Sequence, residues 1–226
     1  MNVYEIYYGI MEGAMKELSL NSTDETLETI KQFNDITNQM EYIIPNNGDI
    51  IYNIKSEDFL HKYRVLSPME FEMYDGGVCW DYVIYQANWF KKNKPKIKYK
   101  TFYFEIVDDN NNPTHTFMLF YYKDKVYWFE SSWKDHVGIF EFLNENQALT
   151  YITSLLIDAH PKEIEIRDQF ITLFNPLDKK LLGLKCADYM EFMISRKEYK
   201  FKREKVSYIQ KINDTSYMNR LHELYR

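Results

Sequence analysis

Gly76-Gly77-Val78-Cys79-Trp80-Asp81 sets a cysteine where a glycine turn runs into a helical pattern. A sulfur there lies near unpaired backbone N–H groups and the positive end of the helix dipole, which favours the nucleophilic thiolate. The same N–H groups can hold an oxyanion as it develops. The glycine pair permits a sharp turn and close chain approach. Taken alone, the segment reads equally well as a small buried hydrophobe at a helix start. A thiolate needs a proton acceptor, and the acceptor needs an orienting partner. His115 opens THTFMLFYY directly after a loop, and Glu130 closes VYWFE. Each has a plainer reading alone, His115 as an ordinary polar residue and Glu130 as a solvated charge at a strand end. The order cysteine, histidine, acid, on these three kinds of element, favours chemistry.

Strand parity allows the pairing. If Lys123-Asp124 or Asp124-Lys125 forms a two-residue turn, opposed positions have numbers summing to 247 or 249. His115 then faces position 132 or 134, and Glu130 shares its face because side chains repeat every second residue. The carboxylate reaches the imidazole along a diagonal of about 7–8 Å between backbone positions. A loop one residue longer or shorter would turn Glu130 away.

The elements that must position these residues are legible around them. CWDYVIYQANWFKKN reads as a helix with Trp80, Val83, Ile84 and Ala87 on one face. KYKTFYFEIV, THTFMLFYY and VYWFESSW read as strands, with turns at Asp108 to Pro113 and at Lys123-Asp124-Lys125. Upstream, helical spacing through Ile6, Ile10, Met11 and Met15 is followed by the capping run Asn21-Ser22-Thr23-Asp24, a second helical stretch, and an Asn46-Asn47-Gly48 turn. Downstream lie a helix in ENQALTYITSLLIDA, a strand in EIEIRDQFITLF, a helix in LKCADYMEFMISRK and a charged tail. In KKNKPKIKYK, Lys96, Lys98 and Lys100 alternate with Ile97, Tyr99 and Thr101, as in a strand with one solvated face.

The chain has 226 residues, 45% of them apolar and 17% aromatic, enough for a substantial core. Its 7 Gly and 6 Pro exclude collagen-like and low-complexity classes. Net charge is -6, which argues against a general nucleic-acid binder. Residues 1 to 75 carry 14 acids against 5 bases, whereas residues 198 to 226 carry 7 bases against 4 acids. No apolar run approaches the roughly 20 residues that span a bilayer. No signal peptide is read at the N-terminus, so Cys79 and Cys186 are expected as reduced thiols in a soluble cytoplasmic chain.

The segments GGVCWDYV (76 to 83) and PTHTFMLFYYKDKVYWFE (113 to 130) resemble the transglutaminase-like branch of the papain-like cysteine hydrolase superfamily. The likeness covers the middle of the chain, under half its length. It implies an α+β fold with a papain/transglutaminase-like core, a nucleophile helix packed on an antiparallel sheet, with helical N- and C-terminal extensions. It implies Cys79 as nucleophile, His115 as general base and acid, Glu130 as orienting carboxylate, and Trp80 packed beside the sulfur. Two departures stand out. The third member is more usually Asp in this branch, and Met73 and Tyr74 occupy the comparable spacing where papain carries its oxyanion-hole Gln. Tyr74 is therefore the expected donor beside the Cys79 N–H.

The expected organisation is a helical extension over 1–60, a catalytic core over 61–160 and a completing region of strand and helices over 161–226. The expected activity is acyl transfer through a cysteine thioester on a protein, a peptide or a small amide, without cofactor or metal and without nucleic-acid or membrane partners. A peptidase or amidase leads. A glutamine transglutaminase or deamidase, or a binding module on the same fold, are the alternatives. A zinc site from Cys79, Cys186, His115 and His136 has no preorganising spacing. Ser131-Ser132 lacks an independent histidine and a nucleophile elbow. Cys186 reads as core, and His136 as a surface-loop residue near the cleft.

Overall fold

A computed structural model describes residues 24–46, 49–51, 62–109 and 112–212. The helix expected through Ile6, Ile10, Met11 and Met15, the Asn47-Gly48 part of the turn and the end of the tail lie outside the described residues. In chain order the helices are α1 (Glu25–Thr37), α2 (Pro68–Tyr74), α3 (Cys79–Asn93), α4 (Glu145–Asp158) and α5 (Cys186–Ile194). The strands are β1 (Glu41–Tyr42), β2 (Ile44–Asn46), β3 (Asp49–Ile51), β4 (Gly76–Gly77), β5 (Lys98–Val107), β6 (Thr114–Tyr122), β7 (Lys125–Glu130), β8 (Gly138–Phe142), β9 (Asp168–Phe174) and β10 (Gln210–Lys211). The fold is mixed α+β. Its main sheet has six strands in the order β10-β8-β7-β6-β5-β9, each antiparallel to its neighbour.

Period-two alternation along the strands serves two faces. On one, Met118, Phe120, Tyr127, Phe129 and Ile139 pack with Ala87 and Phe90 of α3 and with Ile30 and Phe33 of α1. On the other, Phe102, Phe104, Phe117, Leu119 and Trp128 pack with Ala148, Leu149 and Ile152 of α4. Full burial of each aromatic ring contributes about 1.5–3 kcal/mol of transfer free energy. A third cluster gathers Cys79, Trp80, Tyr63, Tyr103, Cys186, Tyr189 and Met193 about the start of α3.

The hairpin between β6 and β7 turns on Lys123-Asp124, with φ of 47° and 59°. Positive φ at both central residues matches the right-handed twist of the flanking strands. Met118 pairs with Phe129 and Tyr122 with Lys125, the register whose numbers sum to 247. Asp24 caps α1 by accepting from the Thr26 N–H at 3.2 Å.

Several expectations are narrowed. The strand expected over 163–174 begins only at Asp168, where pairing with Val107 of β5 starts. β8 adds a strand that the sequence reading missed. α2 was also missed, although Ser67-Pro68-Met69-Glu70 carries its signature: the Ser67 hydroxyl accepts from the Glu70 N–H, and Glu70 Oε2 accepts from the Ser67 N–H at 2.9 Å. Of the alternating lysines, Lys96 and Lys98 are exposed, but Lys100 is half-buried and pairs with Glu145 at 2.7 Å.

Candidate active site

The start of α3 is built by its glycines and by Asp81. Gly76 has φ +155°, and a Cβ there would lie 2.0 Å from the Glu41 carbonyl oxygen. A Cβ on Gly77 would meet the Asp81 carboxylate at 2.8 Å. Only glycines let β1 cross this closely and let the first turn of α3 tuck beneath. Val78 is the N-cap and has no side-chain acceptor, so Asp81 at the third helical position supplies the cap, accepting from the Val78 N–H at 2.9 Å. Asp81 also accepts from the Leu66 N–H at 2.9 Å and from the Tyr63 hydroxyl. Burial pushes its carboxyl well above the usual carboxylate range, against the pull of the two N–H donors. Cys79 is thereby the first residue of the helix, where its N–H has no partner inside the helix.

The imidazole and the acid come from the paired strands, as parity allowed. His115 Nε2 lies 2.9 Å from Glu130 Oε2, and both groups are buried. Glu130 Oε1 is held by the Ser132 N–H at 2.7 Å, the Ser132 hydroxyl at 2.8 Å and the Trp133 N–H at 2.9 Å. With one oxygen anchored by those donors, the other is aimed at the ring. Trp133 also covers the histidine edge-on, with ring centroids 5.5 Å apart. Cys79 also lies beside the ring and, with Glu130, raises the pKa of the imidazole. Because Nε2 is taken by Glu130, Nδ1 is the nitrogen left for the sulfur. The three side chains expected from the sequence therefore meet.

Electrostatics follow from that geometry. Burial pulls the His115 pKa down, but the Glu130 charge and Cys79 outweigh it and raise it from 6.5 to about 10. Burial pushes the Glu130 carboxyl up, and the His115 charge with the surrounding donors overcomes it, leaving it below the ordinary value. Both directions favour a charged imidazolium–carboxylate pair.

Trp80 packs in the cluster that holds Cys79, its Nε1 donating to the Tyr63 hydroxyl at 3.2 Å and its ring 4.6 Å from that of Tyr189. Cys186 is buried in the same cluster, and burial pushes its thiol up to about 12. His136 sits in a short 3-10 turn, half-buried against Trp133 at 4.3 Å between centroids. Ser131 is tied to α1 by Thr37 at 2.8 Å and Asn34 at 3.1 Å. Tyr74, the expected oxyanion donor, closes α2 with its phenol near the Arg64 guanidinium.

The hydroxyl that does reach Cys79 belongs to Tyr42, which the sequence reading did not single out. The phenol lies beside Cys79, whose backbone N–H pulls its pKa down and whose side chain pushes it up. No local signal points to it, since β1 has two residues and no periodicity. The glycine pair announces a close crossing without naming the chain that crosses. Tyr42 and His115 line a groove of about 380 Å³ with Thr114, Trp133, Leu156 and His160. His160 is itself paired with Asp108 at 2.9 Å, tying the end of α4 to the joint before β6. No protein-family model, curated protein or solved structure matches the chain.

Proposed function

We propose that the chain is a thiol-dependent acyl-transfer enzyme, a cysteine peptidase or amidase, on a papain/transglutaminase-like core. The observation that carries this reading is the imidazole that is hydrogen-bonded to a triply anchored carboxylate and has its pKa raised by the neighbouring Cys79. A buried cysteine serving only as packing has no use for that arrangement.

In the mechanism, Cys79 sulfur attacks the carbonyl carbon of a peptide or carboxamide. The carbonyl π pair moves to oxygen, and the Cys79 N–H holds the charge. His115, protonated beside Glu130, delivers its proton to the departing amine as the C–N bond breaks. Water then attacks the thioester, losing a proton to His115, and returns the free thiol and a carboxylic acid. The groove beside His115 has the volume for a side chain or a short extended segment rather than a large folded surface.

Alkylation with iodoacetamide near neutral pH tests the reading. Cys79 is expected to label rapidly and Cys186 hardly at all, with labelling abolished in Cys79→Ala and slowed about 10²-fold in His115→Ala. Equal, sluggish labelling of both cysteines would overturn it. Product analysis on a peptide carrying glutamine, with and without a primary amine, then separates hydrolysis from amine incorporation.

A further inference from the structure

An oxyanion hole needs a second donor beside the Cys79 N–H, and the groove offers one from an unexpected strand. Two parallel bridges seat Tyr42: Glu41 opposite Gly76, and Tyr42 opposite Gly77. The Glu41 N–H donates to the Asp75 carbonyl at 2.9 Å, and the Ile43 N–H to the Gly77 carbonyl at 3.1 Å. The tyrosine backbone is thus bolted to the turn that starts the nucleophile helix. Its ring packs against the cluster containing Cys79, and the residue forms one wall of the groove that His115 also lines. Its hydroxyl lies beside the Cys79 N–H, which pulls the phenol's pKa down. That is the place an oxyanion would take.

We propose that Tyr42 is a catalytic residue, whose hydroxyl holds the oxyanion position at rest and donates to the oxyanion when the tetrahedral intermediate forms. The inference rests on the acyl-transfer reading. A phenol suits the exchange because its hydroxyl has one proton to give and lone pairs to accept with. At rest the hydroxyl stands beside both the Cys79 N–H and the Cys79 side chain, each of which shifts its pKa. When sulfur bonds to the carbonyl carbon, the π pair moves to oxygen and negative charge leaves the sulfur. The oxygen takes the Cys79 N–H, the hydroxyl yields that contact by about one hydrogen-bond length, roughly 2.8 Å, and its proton turns to the new anion. When the C–N or C–O bond breaks, the π bond reforms and the hydroxyl returns. Burial first, then the Cys79 charge, holds the Tyr42 phenol well above its ordinary value, so it keeps the proton it must share.

Two probes that both consume the Cys79 sulfur separate this role from any other. Iodoacetamide forms a C–S bond with loss of iodide and builds no oxyanion. p-Nitrophenyl acetate forms a thioester with loss of p-nitrophenolate and must pass through one. In Tyr42→Phe the ring and backbone bridges remain, and the ratio of acylation to alkylation rate at Cys79 is expected to fall on the order of 10²-fold. Alkylation itself reports that the site is still formed. Tyr42→Gln, which restores an N–H donor, is expected to recover part of the ratio, and it carries the test if the phenylalanine variant loses cooperative unfolding. An unchanged ratio, or both rates rising together as when a mere cover is removed, would overturn the proposal while leaving the acyl-transfer reading standing. A wild-type Cys79 inert to both probes would overturn the two together.

Discussion

At the scale of single residues, the His115–Glu130 pair makes the strongest commitments. The imidazolium is held far above its ordinary 6.5, to about 10, and the carboxylate below its ordinary 4.5. The histidine therefore adds stability that is complete below about 6.5 and disappears as pH rises through about 10. The glutamate adds stability that is present above 4.5 and disappears as pH falls through its depressed folded value. Acylation by p-nitrophenyl acetate should consequently lose its charged histidine only on an alkaline limb near 10. Glu130→Gln removes the charge that raises His115, so the limb should shift downward toward 6.5, a displacement read from the pH–rate profile. A limb that stays in place would show that the carboxylate does not set the imidazole. The sequence allowed this pair without forcing it: period two puts Glu130 on the face of His115 only if the turn has two residues, and the structure has that turn at Lys123-Asp124. The anchoring of Glu130 by Ser132 and Trp133 was not legible there, since that depends on how the chain folds back after β7.

At the scale of elements, the crossing of β1 over β4 is the vulnerable joint. Gly76→Ala sets a methyl group 2.0 Å from the Glu41 carbonyl oxygen at a φ of +155°, so backbone must move. We expect a loss of roughly 2–4 kcal/mol in urea unfolding, and, because Tyr42 is carried on β1, a greater loss of acylation than of alkylation. A neutral substitution would mean that the two strands do not touch in solution. The glycine pair signalled close approach, and helix α3 and strands β5 to β7 followed from periodicity over ten residues or so. β1, β4 and β8 are too short for a period to show, and the seating of β1 and β4 comes from a pairing between positions 41–42 and 76–77. Such long-range bridges leave no mark on either segment.

At the scale of the whole molecule, the acidic N-terminal region bears directly on the site through α1. Phe33 stacks on Trp89 at 4.1 Å between ring centroids and touches Phe129 of β7, while Asn34 donates to the Glu130 carbonyl at 3.1 Å. Phe33→Ala should cost about 3–5 kcal/mol, measured by denaturant unfolding, because the ring is 4% exposed and packs against the rings of Tyr85, Trp89 and Phe129. A loss under about 1 kcal/mol would mean that α1 is an appendage. Among the described residues, no helix is long and apolar enough to cross a membrane. The chemistry-bearing residue types, the helix and strands that carry them and the parity that a two-residue turn gives the hairpin were all written locally, since propensity and side-chain periodicity act between near neighbours. Which tyrosine lies beside Cys79 and which helix braces the strand of Glu130 depended on the packed chain, because those contacts join positions up to 97 residues apart and owe their existence to a shared core rather than to local pattern.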